Sequence, residues 1–209
     1  MPTLADYGNN GETALEAILI AAGFGSIEQA VASLSVFSHP QTVQQTNNSA
    51  LFRIRRYRPT EKRGQVIDEE RVVLCDNQSP TSAFLWANNL TRRFFEEVQY
   101  NHIYQKSDDP RYYTSLANIC VTPAFLSKLT DTNPEIKQLL KYRVSTLYNF
   151  IPEGEPQPPM PHNYNDITWA DCLPSCNDLQ PRLIDRLQRN QESRIALSVE
   201  HFGWLFGQV

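Results

Sequence analysis

Arginine and lysine side chains crowd into one short segment, residues 51–63, which has the clearest chemical potential in the sequence. Guanidinium groups bind phosphate oxygens, and the Tyr57 ring among them can stack on a nucleobase. Successive strand residues face opposite sides, however, and the acidic residues 68–70 could pair with these cations across a hairpin. Two interpretations remain: a solvated, salt-paired or partner-packed hairpin, which we favour, and contact with nucleic acid or another polyanion. The candidate contacts are Arg53, Arg55, Arg56, Arg58, Lys62 and Arg63.

Residues 115–129 resemble the second half of a helix-turn-helix motif. An apolar segment and a turn are followed by Val-Thr, an apolar stretch and Ser-Lys. The resemblance implies a DNA-binding regulator that uses residues 110–131, with Lys128 as a DNA contact. The alternative, which we favour, is a pair of short core helices joined by a Thr-Pro cap.

Two cysteines, Cys172 and Cys176, have the spacing of half a zinc site, and His162 lies ten residues before the first of them. The second ligand pair is incomplete, and a proline between the cysteines favours a structural turn with two thiols. Cys75 and Cys120 lie in apolar surroundings and are predicted to be buried thiols. We therefore predict no metal and no cofactor.

The C-terminal region carries two candidate contacts for a partner protein. Arg182, Arg186 and Arg189 are spaced so that they share one face of a helix predicted over residues 179–205. An aromatic cluster lies at the end of this helix, and such a cluster must dock either on the core of its own domain or on another subunit. The aromatic candidates are Phe202, Trp204 and Phe206.

Catalytic signatures are missing from the sequence. It has no Gly-rich phosphate loop, no nucleophile elbow and no metal-binding pair of histidines on one helix, and its four histidines are scattered. An enzyme whose site is assembled from distant residues remains an alternative, because catalytic triads are spatial arrangements rather than sequence motifs.

The charge distribution argues against general affinity for nucleic acid. The net charge is −4, and it belongs to the N-terminal segment, where four acidic residues precede Arg53, the first basic residue. The rest of the chain is balanced, with 19 basic and 19 acidic residues. We expect no export signal and no membrane span, and hence a location in the cytoplasm or in a particle assembled there.

Hydrophobic periodicity predicts two N-terminal helices that are separated by residues 23–25. The first is apolar nearly all round over residues 14–22, which predicts deep burial. The second begins at Ser26 and has one apolar stripe, which comprises Ile27, Ala30, Val31 and Leu34. A polar loop is predicted over residues 38–49, followed by a hairpin that pairs residues 51–57 with residues 71–75.

A long helix is predicted over residues 80–104, with Phe94 on its buried face. Three cap-then-proline pairs should each begin a further helix, at Asp109-Pro110, Thr122-Pro123 and Asn133-Pro134. Residues 152–163 contain five prolines and predict a stiff linker. The linker would separate a helical domain at 1–151 from an extension at 164–209.

Together these features predict a predominantly helical α+β fold: a helical cluster with a small antiparallel hairpin, a Pro-rich linker and a C-terminal helix. The leading hypothesis is a non-catalytic structural subunit of a larger complex, such as a virus particle or a nucleoprotein assembly. It would contact partners through the basic hairpin and the aromatic tail. The expected partners are other protein subunits, with nucleic acid as a further candidate and no membrane.

Overall fold

The computed structural model describes residues 1–51, 65–68, 71–74, 78–106, 109 and 111–189, and its fold is α+β. The α-helices in these ranges are α1 (Gly11–Ala21), α2 (Ile27–Leu34), α3 (Pro40–Gln44), α4 (Gln78–Ala87), α5 (Ala124–Thr132), α6 (Pro134–Tyr148) and α7 (Leu179–Arg189). The strands are β1 (Gln65–Asp68), β2 (Arg71–Leu74), β3 (Val98–His102) and β4 (Ile119–Pro123). β1 pairs with β2 and β3 pairs with β4, both antiparallel.

One apolar core joins most of these helices. Helices α2, α4, α5, α6 and α7 each contribute buried side chains to it, and a smaller cluster around Phe84, Ile119 and Val121 lies beside β3 and β4. The predicted stripe of α2 is confirmed, since three of its members are buried and Leu34 packs against the core. Ser26 begins this helix as predicted, because its hydroxyl accepts a hydrogen bond from the Gln29 amide.

The prediction that the first helix is deeply buried is wrong. Of the residues in α1, only Leu19 is buried, while Leu15 packs against the core at partial exposure. The helix is fixed at two points, because Asn10 caps its N-terminus and the Asn133 amide donates a hydrogen bond to the Glu12 carboxylate. Helix α1 therefore lies on the surface with one edge against the body.

The polar segment 38–49 is not simply a loop, because α3 occupies part of it. His39 begins this helix by accepting a hydrogen bond from the Gln41 amide, and Thr42 and Val43 are buried. The Thr42 hydroxyl accepts a hydrogen bond from the backbone of Cys176. Polar side chains face inward here because they bind the C-terminal part of the chain, and a periodicity of apolar residues cannot reveal such contacts.

The predicted pairing of residues 51–57 with residues 71–75 is wrong for the second strand. β2 pairs with β1, in a register that places Asp68 opposite Arg71 and leaves two residues between the strands. A short connection has a lower entropic cost of closure than a long one and matches the tight hairpins of antiparallel sheets. Residues 52–64 lie outside the described residues.

The helix predicted over 80–104 ends early, and its second half is replaced by a loop and β3. Asn88 and Asn89 follow the last turn of α4, and Asn89 has a left-handed backbone with φ of 55°. Asparagine adopts this conformation more readily than most residues, and the Leu90 amide closes the helix end by bonding to the Leu85 carbonyl. The predicted burial of Phe94 is also wrong, since 55% of it is exposed.

The three cap-then-proline pairs have three different outcomes. Asn133 begins α6 as predicted, since its side chain accepts hydrogen bonds from two backbone amides of the first turn. A helix also follows Thr122, but the Thr122 hydroxyl accepts from Asn101 instead of capping it. No described helix begins at Asp109, because its carboxylate binds the backbone and the guanidinium of Arg111 in a turn.

The helix-turn-helix prediction is wrong. A short 3-10 helix at Leu116–Asn118 leads directly into β4, so a strand lies where the motif needs a helix and a turn. The favoured pair of short core helices is wrong for the same reason. Ile119, Val121 and Thr122 are β-branched and favour extended backbone, and β3 supplies the hydrogen-bonding edge that they need.

Residues 152–163 form neither helix nor strand, and they contact α6. The Gln138 amide donates a hydrogen bond to the Pro159 carbonyl, and Lys141 forms an ion pair with Glu155. Beyond this segment, α7 places Leu179 and Leu183 in the main core. The division into 1–151 and 164–209 stays a prediction, as does the part of the last helix beyond Arg189, which lies outside the described residues.

Candidate functional site

Helix α1 presents apolar side chains to solvent on both of its flanks. Ile18 is 61% exposed and Ile20 is 52% exposed, and Leu19 between them is buried. Helical geometry places residues two positions apart about 200° apart around the axis. The two isoleucines therefore lie on opposite sides of the buried edge, and we call this pair the α1 flanks.

Large exposed apolar side chains are concentrated at this end of the molecule. Of the seven in the described ranges, four lie within the first 20 residues, and these are Met1, Leu4, Ile18 and Ile20. The same region is purely acidic, because no lysine or arginine precedes Arg53. Hydrogen bonds from Thr3 lower the pKa of Asp6, so this carboxylate is charged at neutral pH. The α1 flanks thus form an apolar surface within a segment of the chain whose charged side chains are all acidic.

A second feature is a cleft of about 350 Å³ between the end of α4 and one face of α7, which we call the arginine cleft. Its lining residues are Trp86, Asn89, Arg182, Asp185, Arg186 and Arg189. The three arginines thus lie on one face of α7, next to the chain's own α4, and their role as contacts for a partner protein stays a prediction. The charged side chains of the lining are three guanidinium groups and one carboxylate.

The cleft arginines bind backbone carbonyls at the end of α4. Arg182 donates to the Ala87 carbonyl over 3.1 Å, and Arg186 donates to the Leu90 carbonyl over 3.4 Å. Cations at a helix C-terminus offset the partial negative charge of its last carbonyls. The guanidinium of Arg186 also lies 5.2 Å from the centre of the Trp86 ring, a cation–π contact. Arg189 pairs with Asp185 one helical turn away.

The positive charge of Arg186 is disfavoured in the cleft. Burial, and then the positive charge of Arg182, lower the pKa of Arg186. The Nε atom of Arg182 is buried, and among the described residues it has no hydrogen-bond acceptor.

The other predicted contacts are dispersed or undescribed. Lys128 is exposed on α5, away from the cleft lining. Nine predicted contacts lie outside the described residues, and these are Arg53, Arg55, Arg56, Arg58, Lys62, Arg63, Phe202, Trp204 and Phe206. Their proposed roles stay predictions.

Cys172 and Cys176 are free thiols in the described structure. Burial raises the pKa of Cys172, and the Sγ of Cys176 accepts a long contact of 3.6 Å from Arg182. Within the described ranges, no group of three or more histidine, cysteine or acidic side chains is arranged to hold a metal ion. Cys75 lies outside these ranges.

Several buried ionisable groups lie in the core. Burial raises the pKa of Cys120 to about 12, which keeps this thiol protonated and unreactive. Burial also lowers the pKa of His102, whose ring bonds to the Tyr113 carbonyl over 2.7 Å. The Tyr148 hydroxyl, whose pKa burial raises, donates to the Ser38 carbonyl. Each of these contacts is structural.

A larger cleft of about 550 Å³ lies between α3 and the end of α6. No charged residue lines it; its polar walls carry the amides of Gln41, Gln44, Asn47, Asn48 and Asn149. Neither this cleft nor the arginine cleft combines a nucleophile with a histidine or carboxylate base, the arrangement that acid–base catalysis needs.

Comparison with known proteins gives this chain no relatives: no family model, no curated protein and no solved structure matches it. A helix that crosses a bilayer needs about 20 mostly apolar residues. None of the helices in the described ranges meets that length and composition.

Proposed function

We propose that the protein is a non-catalytic subunit of a larger assembly and that α1 docks into a groove of a partner protein. The observation that carries the proposal is the pair of exposed isoleucines on the α1 flanks. A helix whose surface is largely apolar is normally buried, and the apolar surface of this one is covered by its own chain along one edge only. A partner would complete that burial.

The positions of the two isoleucines favour a groove over a flat partner surface. Ile18 and Ile20 point to opposite flanks, so a flat surface could cover only one of them. A groove that receives an amphipathic or apolar helix can contact both at once. Burying each side chain fully would contribute roughly 1–2 kcal/mol, in proportion to the area still exposed.

Charge favours a different protein over a second copy of this chain. Pairing α1 with another α1 would bring Glu12 and Glu16 of the two copies together, with no basic residue nearby in sequence. Like charges across an interface are unfavourable. We therefore expect an apolar groove with lysine or arginine at its rim.

A virus particle or a nucleoprotein complex, assembled in the cytoplasm, is the setting that the sequence favours. The aromatic tail at Phe202, Trp204 and Phe206 would then be a second contact.

The test expresses the tagged chain in the cells from which it comes and measures the native mass of the complex that contains it. The wild type is compared with two variants. We expect the wild type in a species well above its own 24.0 kDa. Ile18→Glu/Ile20→Glu should release it as a free folded subunit, since two charges cannot enter an apolar groove. The matched control is Phe125→Glu, which changes an apolar side chain with 57% exposure on α5 and should stay in the complex. Retention of the double variant in the complex, or a wild type that is free at 24.0 kDa, would overturn the proposal.

A further inference from the structure

We propose that the arginine cleft, together with the loop that follows α4, binds the phosphate backbone of a single-stranded nucleic acid. This proposal does not depend on the α1 interface, because it concerns other residues and a different class of ligand. The cleft has three guanidinium groups against one carboxylate, and phosphate oxygens accept hydrogen bonds from guanidinium groups in forked pairs.

The cleft offers an anion a site where its charge would be stabilising. Arg182 and Arg186 are partly exposed and Arg189 is exposed, so their guanidinium groups can donate to a phosphate in the cleft. An anion would also offset the mutual repulsion of Arg182 and Arg186.

The arginines form a row rather than a compact pocket. Arg182, Arg186 and Arg189 extend over about 10 Å of the α7 axis, at 1.5 Å per residue. Two exposed arginines, at 92 and 93, follow closely after Leu90, whose carbonyl accepts from Arg186, so the loop adds positive charge near this row. A row of cations suits an extended chain of phosphates.

An exposed aromatic ring next to this row favours a single strand over a duplex. Phe94 follows the two loop arginines and is 55% exposed, and its ring meets the Phe95 ring edge to face at 4.7 Å. Proteins that bind single strands combine a cationic track with rings on which unpaired bases stack. Glu96 and Glu97 come next and limit the cationic stretch on this side.

Arg182 and Arg186 also bind the carbonyls at the end of α4. Replacing them would therefore change the stability of the fold as well as the affinity for nucleic acid. The loop arginines are exposed and suit the test better. Arg92→Gln/Arg93→Gln removes two positive charges from the proposed track. The matched control is Lys106→Gln/Lys137→Gln, which removes the same charge from the segment after β3 and from α6.

The experiment measures the fluorescence anisotropy of a labelled 12-nucleotide single strand titrated with full-length protein at several salt concentrations. We expect the wild type to bind the strand more tightly than a duplex of equal length. Arg92→Gln/Arg93→Gln should weaken binding about tenfold at low salt and reduce the log–log salt slope by about 1.4, or 0.7 for each lost phosphate contact. The control should retain wild-type affinity. Equal weakening by both variants, no weakening by either, tighter binding to duplex, or no binding at all would overturn the proposal.

Discussion

Replacing Leu183 with alanine should lower the free energy of unfolding by about 3 kcal/mol. Leu183 is 1% exposed and belongs to the same core as the helices of the N-terminal segment. Truncating a buried leucine costs about 2–5 kcal/mol, because apolar contacts are lost and a cavity remains. For a chain of this size the melting temperature should fall by about 10 °C. Urea denaturation followed by tryptophan fluorescence measures the change.

The control for Leu183→Ala is Met160→Ala, which removes an apolar side chain with 51% exposure from the same C-terminal part of the chain. Exposed substitutions of this kind change stability by at most about 0.5 kcal/mol. If both variants behaved alike, Leu183 would not be a core residue. If unfolding divided into two transitions, the C-terminal extension would be a separate unit, as the Pro-rich segment predicted.

Replacing Asn118 with alanine should cost about 2–3 kcal/mol although it removes few atoms. Asn118 is fully buried, and its side-chain oxygen accepts a hydrogen bond from the Tyr104 amide over 2.9 Å. Its amide group donates to the Tyr112 carbonyl over 3.3 Å. Removing the side chain leaves a buried backbone donor without a partner, which costs about 1–3 kcal/mol, and the loss of the second bond adds to this.

Asn118→Asp separates these two contributions. The aspartate keeps an acceptor for Tyr104 but loses the donor to Tyr112 and buries a charge, so it should be no more stable than the alanine variant. Asn165→Ala, at an exposed position, is the control and should match the wild type. The midpoint of urea denaturation reports all three. A wild-type midpoint for Asn118→Ala would contradict the assigned hydrogen bonds.

Local signals predicted those elements that depend on local contacts. The apolar stripe of α2 and the Asn133 cap of α6 could be read from spacing alone, because the residues that cause them are close in sequence. The structure of the segment 98–123 could not be predicted in this way. β3 and β4 stabilise each other across about 20 residues, and their apolar residues also fit a helical spacing until the pairing is known.

Polar residues caused the other errors. Thr42 and Asn118 are buried because each bonds to a backbone group distant in sequence or in a neighbouring turn, and no pattern of apolar residues marks such positions. The arginine face of α7 was predicted, but its contact with α4 was not, since helix spacing shows which residues share a face and not what the face meets. The exposure of α1 went unpredicted because its composition suits a buried helix.

The most direct test of the α1 interface is photo-cross-linking in the native assembly, with a benzophenone side chain placed at position 18 or, as the control, at position 125. Our account predicts that the probe at Ile18 joins the chain to one discrete protein and that the probe at Phe125 does not. The cross-linked protein should have a groove with basic residues at its rim. No cross-link from position 18, or the same products from both positions, would contradict the proposal that α1 docks into a partner.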